Sequence, residues 1–137
     1  MAGEHATRTT PVSDEAEHNA LRARALVDLD ALMQIARDAS RDIRSYQSAL
    51  ETNYRHLSAG GRASDMNGLF DVSAVRASLS DRLDSIERAR NRSRRSLWRL
   101  QVREGMSIAE IARAWGFSRQ LVSRALSSGD GANDEPS

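Results

Sequence analysis

A mostly apolar stripe between residues 29 and 57 constrains the fold of this chain most. Its residues recur at alternating steps of three and four over four heptads, which is typical of a helix packed along its length against another. The stripe consists of Leu29, Leu32, Ala36, Ala39, Ile43, Tyr46, Leu50, Asn53 and Leu57. Further apolar residues widen the face, which favours a bundle over a two-stranded coil: Leu21, Leu26, Met33 and Ile35. We therefore predict one helix from about Ser13 to Leu57.

A turn and a second helix follow this first helix. The pairs Gly60-Gly61 and Asn67-Gly68 are strong turn signals, and a new helix is predicted to begin near Asp71 or Ser73. Residues 13–87 are thus expected to form a long, coiled-coil-like helical hairpin. We expect this hairpin to hold a homo-oligomer, most simply a dimer, or to bind a protein partner. The residues predicted to do so are Leu29, Leu32, Ile43, Tyr46, Leu50 and Leu57.

The composition of the chain predicts an all-α protein without a catalytic site. Only 4% of its 137 residues are aromatic, and no run of β-branched residues predicts a strand. The absence of cysteine excludes disulfides, thiol catalysis and cysteine-based zinc sites. The three histidines are scattered, and Gly60-Gly61 lacks the Lys and Ser/Thr of a phosphate-binding loop. We expect no enzyme activity, no cofactor and no bound metal.

Both ends of the chain are polar and lack an apolar period. Residues 1–12 and the acidic tail 128–137 are predicted to be disordered. The N-terminal stretch has no apolar segment of the kind found in signal peptides, and apolar runs are far shorter than the ~20 residues that cross a bilayer. A cytoplasmic, nucleoid-associated protein without membrane contact is expected.

Charge is distributed unevenly along the chain. Residues 1–87 hold 10 Arg against 14 Asp and Glu, whereas residues 88–126 hold 10 Arg against two Glu. A basic block of this kind indicates an anionic partner. Within it, residues 88–96 are predicted to be an Arg-rich hinge or a solvated helix, too polar to bury much. All 20 basic residues are Arg, which suits phosphate and guanine recognition, although a GC-rich genome would give the same bias.

Two short helices are predicted between residues 107 and 127. Ser107 and Glu110 have the spacing of a capping box, Gly116 suits a turn with positive φ, and Ser118 is placed to cap a second helix. The predicted helices run from Ile108 to Trp115 and from Arg119 to about Leu126. Their apolar interior is expected to consist of Ile108, Ile111, Trp115, Phe117, Val122, Ala125 and Leu126, with Trp98 also in the core, and the small Ala112 is expected to let the two helices cross closely.

This stretch, IAEIARAWGFSRQLVSRAL, resembles the C-terminal helix-turn-helix of resolvase and invertase recombinases and, less closely, the promoter-reading region of sigma factors. The matching pattern is an apolar residue and Ala, Gly four residues after the Ala, an apolar residue, and Val six residues after the Gly. It is met by Ile111, Ala112, Gly116, Phe117 and Val122. With Leu97–Arg103 as a first helix, the resemblance implies a trihelical DNA-binding unit over 97–127, without the recombinases' catalytic domain.

The resemblance implies that the second short helix enters the major groove of double-stranded DNA. Its outward residues Arg119, Gln120 and Ser123 are the expected base contacts, because Arg reads guanine and Gln reads adenine. The expected phosphate contacts are Ser107, Arg113, Ser118, Arg124, Arg103, Arg99 and Arg95. Leu121 departs from the family pattern, in which many members have Thr or Ser that contacts phosphate.

Together these patterns predict a small bacterial or phage transcriptional regulator that binds a specific DNA sequence as a dimer. Two alternatives remain open from the sequence. The chain could be a protein-interaction adaptor that works through its heptad helices. It could also be a nucleoid-type protein that binds DNA without sequence preference.

Overall fold

The computed structural model describes residues 11–68 and 71–128, and the regular elements within these ranges are all helical. Helix α1 spans Pro11–Ser58 and a 3-10 helix spans Ala63–Gly68. They are followed by α2 (Val72–Arg103), α3 (Ile108–Trp115) and α4 (Arg119–Ser127). The prediction of an all-α protein with a long N-terminal helix is confirmed for the described part of the chain.

Helix α1 begins slightly earlier than its sequence predicts. Pro11 is its first residue, so the prediction of disorder is wrong for residues 11 and 12. Proline suits the first turn of a helix because an amide N–H at that position would have no acceptor within the helix. Asp14, in the same turn, stabilises the helix because its negative charge lies near the positive end of the helix dipole. At the C-terminal end of the described chain, Ser128 is the C-cap of α4, so the prediction of disorder is also wrong for residue 128. The rest of the predicted disordered termini, 1–10 and 129–137, lies outside the described residues.

The Arg-rich stretch 88–96 is part of α2, so of its two predicted forms the structure has the helix and not the hinge. The expectation that this stretch buries little is also wrong. Ala89, Ser93 and Ser96 are each less than 5% exposed. Their spacing of four and three residues puts these small side chains on one face of the helix, where a neighbouring helix can approach closely. Arg88 and Arg90 are exposed, on other faces of α2.

The described chain forms two compact units, and α1 and α2 contribute to both. One unit contains residues 11–30 and 91–128, and the other contains residues 31–90. This grouping differs from the predicted segments 13–87 and 97–127, because the start of α1 belongs with the short helices α3 and α4.

In the first unit, the start of α1 lies antiparallel to the end of α2. Arg103 donates through Nη2 to Asp14 Oδ1 at 2.7 Å, and His18 Nε2 lies 2.8 Å from a carboxylate oxygen of Glu104. Further along, the buried Asp28 accepts a hydrogen bond from the Ser96 hydroxyl. The two helix segments are therefore held by polar contacts along their length, in addition to the burial of Ala25 and Ser93.

In the second unit, α1 ends in a tight turn, and an ion pair joins α1 to α2. Gly60 adopts a φ of 88°, and Gly61 lies directly beneath the His56 imidazole, which leaves no space for a Cβ atom. Arg82 donates through Nε to Asp42 at 2.7 Å. This hydrogen bond, with the charges of Asp42 and Asp38, raises the pKa of Arg82 above its ordinary value. The turn signal at Gly60-Gly61 is confirmed.

The predicted heptad stripe of α1 does not lie on a single buried face. Leu32 and Tyr46 are half-buried in the second unit, whereas Ile43, Leu50 and Leu57 are 45–51% exposed. Leu29 is half-buried in the first unit. The single stripe read from the sequence mixes two neighbouring faces, because positions three residues apart differ by about 60° around a helix. The prediction that the whole stripe packs against one helix is therefore wrong. A role of these residues in oligomerisation stays a prediction.

Candidate nucleic-acid interface

The start of α3 is fixed by a reciprocal pair of hydrogen bonds. The Glu110 amide donates to Ser107 Oγ at 3.1 Å, and the Ser107 amide donates to Glu110 Oε1 at 3.0 Å. This is the predicted capping box. The hydrogen bonds from Ser107, together with the charge of Arg113, lower the pKa of the Glu110 carboxyl. Glu110 is therefore ionised where it stabilises the first turn of α3.

The link between α3 and α4 is a three-residue turn, Gly116 to Ser118, with a cap at each end. Gly116 ends α3 with a φ of 75°, in the left-handed region predicted for it, and the Phe117 amide donates to the Ala112 carbonyl at 2.9 Å. Ser118 then caps α4, since its hydroxyl accepts from the Leu121 amide at 3.1 Å. These contacts lie within five residues of each other in sequence, which is why local sequence signals could predict them.

A small apolar core holds α3 and α4 against the end of α2. Trp98, Ile111 and Val122 are fully buried, and Ala112 lies beside them. Partly buried side chains surround this core: Met106, Phe117, Leu121, Ala125 and Leu126. Leu121, the departure from the recombinase pattern, therefore packs on the core. Because the fully buried Trp98 comes from α2, the end of α2 is part of this unit together with the two short helices.

Aromatic contacts extend this core towards the turn. Trp98 packs edge-on against Trp115 and Phe117, with ring centroids 5.8 and 5.6 Å apart. The Arg94 guanidinium lies 4.5 Å from the Phe117 ring centroid, a cation–π contact that the sequence did not predict. Trp115 is 36% exposed and donates through Nε1 to Gln101. The expectation that Trp115 belongs to the apolar interior is thus wrong, because its indole lies at the edge of the core.

An open groove of about 530 Å³ lies along the outer side of α4. Arg119, Gln120, Ser123 and Arg124 line it, and Ile108 and Ser127 complete its walls. The three predicted base-contact residues are thus brought together with one predicted phosphate contact, because the burial of Val122 turns the opposite side of α4 outward. Ile108 was expected in the interior. It is instead 36% exposed, since its position at the first turn of α3 leaves one side open.

The side chains in this groove are hydrogen-bond donors of the kinds that recognise nucleic acid. Arg119 and Arg124 each offer a planar guanidinium, and Gln120 offers an amide that donates and accepts. All of these residues are exposed. The groove can therefore present directed donors to an electronegative surface without first breaking a buried contact.

The remaining predicted phosphate contacts differ in their surroundings. Arg113 is exposed on α3, whereas Ser107 and Ser118 are exposed residues whose hydroxyls cap the two helices. Arg95 is half-buried. Two others make specific contacts within the chain: Arg99 donates to the Ser128 carbonyl at the end of α4 at 2.7 Å, and Arg103 binds Asp14. A structural role for Arg99 and Arg103 could not be read from sequence, because their partners are distant in the chain.

Metal and membrane sites are not found in the described ranges. Across residues 11–68 and 71–128, no three His, Asp or Glu side chains are grouped so that they could hold a metal ion. Within the same ranges, no helix combines the length and the apolar character that crossing a bilayer requires.

Comparisons of the chain with protein families, with curated proteins and with solved structures find no match.

Proposed function

We propose that this chain is a sequence-specific DNA-binding protein, a small transcriptional regulator that acts as a dimer. Its DNA-reading unit is a trihelical helix-turn-helix made of the end of α2, α3 and α4. The observation that carries this proposal is the groove on α4, in which Arg119, Gln120, Ser123 and Arg124 lie side by side and exposed.

In this proposal α4 is the recognition helix. Arg119 and Gln120 lie in its first turn, the part that points into the major groove when a recognition helix docks N-terminus first. Arg119 donates to guanine O6 and N7, Gln120 pairs with adenine N6 and N7, and Ser123 contacts a neighbouring base edge. The buried Val122 and the caps at Ser118 and Gly116 support this role, because they hold the presenting helix in one orientation.

Phosphate contacts surround this reading face. Arg124 lines the same groove, Arg113 is exposed on α3, and the N-terminal turns of α3 and α4 begin at Ser107 and Ser118. Backbone amides at helix N-termini bind phosphate oxygens. Arg95, Arg99 and Arg103 add positive charge, although the contacts of Arg99 and Arg103 within the chain assign them first to holding the unit together.

The experiment that tests this function is a salt series on two duplexes. One carries a site selected from a random pool, and the other has the same length and base composition in shuffled order. We expect tight binding to the selected duplex that falls by about 10³–10⁵ between 50 and 200 mM salt, as for proteins that make 6–10 phosphate contacts. The shuffled duplex should bind at least about 10³-fold more weakly.

The other outcomes separate the alternative functions. Equal affinity for both duplexes would indicate a nucleoid-type binder without sequence preference. Binding to neither duplex, or binding that does not change with salt, would contradict the proposal and favour a protein-interaction adaptor.

A further inference from the structure

The part of α1 within the second compact unit carries two heptad patterns side by side. The first faces α2, and each of its residues is buried or half-buried: Leu32, Ile35, Ala39, Asp42, Tyr46, Ala49, Asn53 and His56. The second is shifted by about one residue, and each of its residues is exposed: Met33, Ala36, Ser40, Ile43, Gln47, Leu50, Tyr54 and Leu57. We call this second set the outer seam. It repeats in steps of three and four, as the contact positions of a packed helix do.

The outer seam is free of charge in a helix that is otherwise rich in charge. Between Met33 and Leu57, seven of 25 residues are Asp, Glu or Arg, and none of them lies on the seam. Five of its members are large and apolar or aromatic, with 45–75% of their surface exposed: Met33, Ile43, Leu50, Tyr54 and Leu57. A helix face that stays in water has no reason to exclude charge, whereas a contiguous apolar face marks an interaction surface.

The residues of the outer seam complement those of a second copy that runs in the opposite direction. If a second copy lies antiparallel with a two-fold axis at Ile43, Ala36 lies level with Leu50 of that copy, a small side chain opposite a large one. In the same alignment Met33 and Tyr54, and likewise Ser40 and Gln47, lie one residue (about 1.5 Å) from the same level, so that an apolar side chain lies near an aromatic one and a polar side chain near a polar one. A two-fold interface places every such pair twice.

Charges beside the seam favour the same alignment. Arg37 follows Ala36 and Glu51 follows Leu50, so the antiparallel copy places Arg37 and Glu51 on the same side of the seam, about 3 Å from the same level, where their long side chains and opposite charges can meet. In a parallel alignment each of these residues faces the opposite flank of the seam, where positions such as Ala39 and Asn53 carry no charge, so the attraction between Arg37 and Glu51 is lost. Arg44 lies beside Ile43 and comes near its own copy in the antiparallel alignment, a single repulsion against the two attractions between Arg37 and Glu51.

We infer that a second copy of this chain packs antiparallel along the outer seam, with the two-fold axis at Ile43. The pairing turns two α1–α2 hairpins into a four-helix arrangement, in which the seam becomes a buried layer. This inference identifies the surface of the dimer that the proposed function requires. It does not depend on DNA recognition, and its test contains no DNA.

Single cysteines test the alignment directly, because the chain contains no cysteine. Under mild oxidation, Ile43→Cys is expected to form a disulfide-linked dimer, since its two copies meet at the axis and disulfides need Cα atoms within about 7 Å. Ala36→Cys and Leu50→Cys should not cross-link when each is alone. A co-refolded mixture of the two, with one chain tagged for size, should give the mixed cross-linked dimer. Ser48→Cys, exposed elsewhere on α1, is the control and should stay uncross-linked.

A charged substitution on the outer seam tests the dimer without cross-linking. Ile43→Asp should fold with unchanged helix content, because Ile43 is already 51% exposed in one chain. Its molar mass in light scattering should be two-fold lower than that of the unsubstituted chain, whereas Ser48→Asp should remain dimeric. Cross-linking of Ala36→Cys with itself would overturn the antiparallel alignment. A monomeric unsubstituted chain, or a dimer that survives Ile43→Asp, would overturn the seam as the interface.

Discussion

Gly116 is the residue whose backbone most directly determines how α4 follows α3. Its φ of 75° lies in the left-handed region, and a Cβ atom built on it would meet no atom within 4 Å. Space is therefore available, and any cost of a side chain comes from backbone conformation alone. For a residue other than glycine this conformation costs roughly 1–2 kcal/mol.

We therefore expect Gly116→Ala to lower the free energy of unfolding by about 1–2 kcal/mol. Gly68→Ala is the matched control, because its Cβ also meets open space and its φ lies outside the left-handed region. That substitution should be neutral or should stabilise by up to about 1 kcal/mol. Urea denaturation of both variants measures the difference. Equal effects of the two would show that the turn at Gly116 does not need its positive φ.

Individual residues also show which features a sequence can reveal. Ser107, Glu110, Gly116 and Ser118 were predicted correctly because each acts on backbone within five positions of itself. The contact of Arg103 with Asp14 spans 89 positions, and that of Arg99 with Ser128 spans 29. Such partners depend on how helices pack, and no local pattern of charges indicates them. The two residues therefore resembled phosphate contacts in the sequence.

At the scale of elements, α3 is a helix of eight residues that depends on its ends. So short a helix is marginal in isolation, and its first turn relies on the capping box between Ser107 and Glu110. Because the capping hydrogen bonds lower the pKa of Glu110, the ionised carboxylate stabilises the folded state. Its stabilisation is present above the ordinary pKa of a glutamate and is lost as the pH falls through the lowered value.

We expect acidification to weaken the start of α3 more in the unsubstituted chain than in Glu110→Gln. The glutamine keeps an oxygen that accepts from the Ser107 amide but has no carboxyl to titrate. The free energy of unfolding, measured from neutral pH down through the range below the ordinary glutamate pKa, should therefore converge for the two proteins. A gap that stays constant with pH would contradict an ionised Glu110 as the source of this stability.

Helix α2 shows where element prediction from sequence reaches its limit. The alternation of Arg with small residues over 88–96 fits a solvated helix or a hinge equally well, and the structure has a helix that continues to Arg103. Burial of Ser96 depends on the facing part of α1, which supplies Asp28 as its hydrogen-bond partner. In α1 itself, heptad spacing revealed the helix but could not separate two neighbouring faces, one of which α2 covers.

At the scale of the whole molecule, negative charge is concentrated in the N-terminal part of the sequence and positive charge in the C-terminal part. Residues 88–126 carry an excess of eight positive charges, and residues 1–87 carry an excess of four negative charges. A basic region beside an acidic one orients the molecule towards a polyanion and steers its approach. In the proposed dimer two such basic regions would act together, and binding of the second DNA-reading unit would become intramolecular once the first is bound.

In the proposed function, α4 reads base edges through the groove on its outer side. The most direct test of this role is the affinity of Arg119→Ala for the selected duplex and for duplexes changed one base pair at a time. We expect a loss of about 1–3 kcal/mol per contact, together with relaxed preference at the base pair that Arg119 reads. Arg55→Ala, which removes an exposed arginine from α1, should bind like the unsubstituted chain. Unchanged affinity and unchanged base preference in Arg119→Ala would contradict the proposed role of α4.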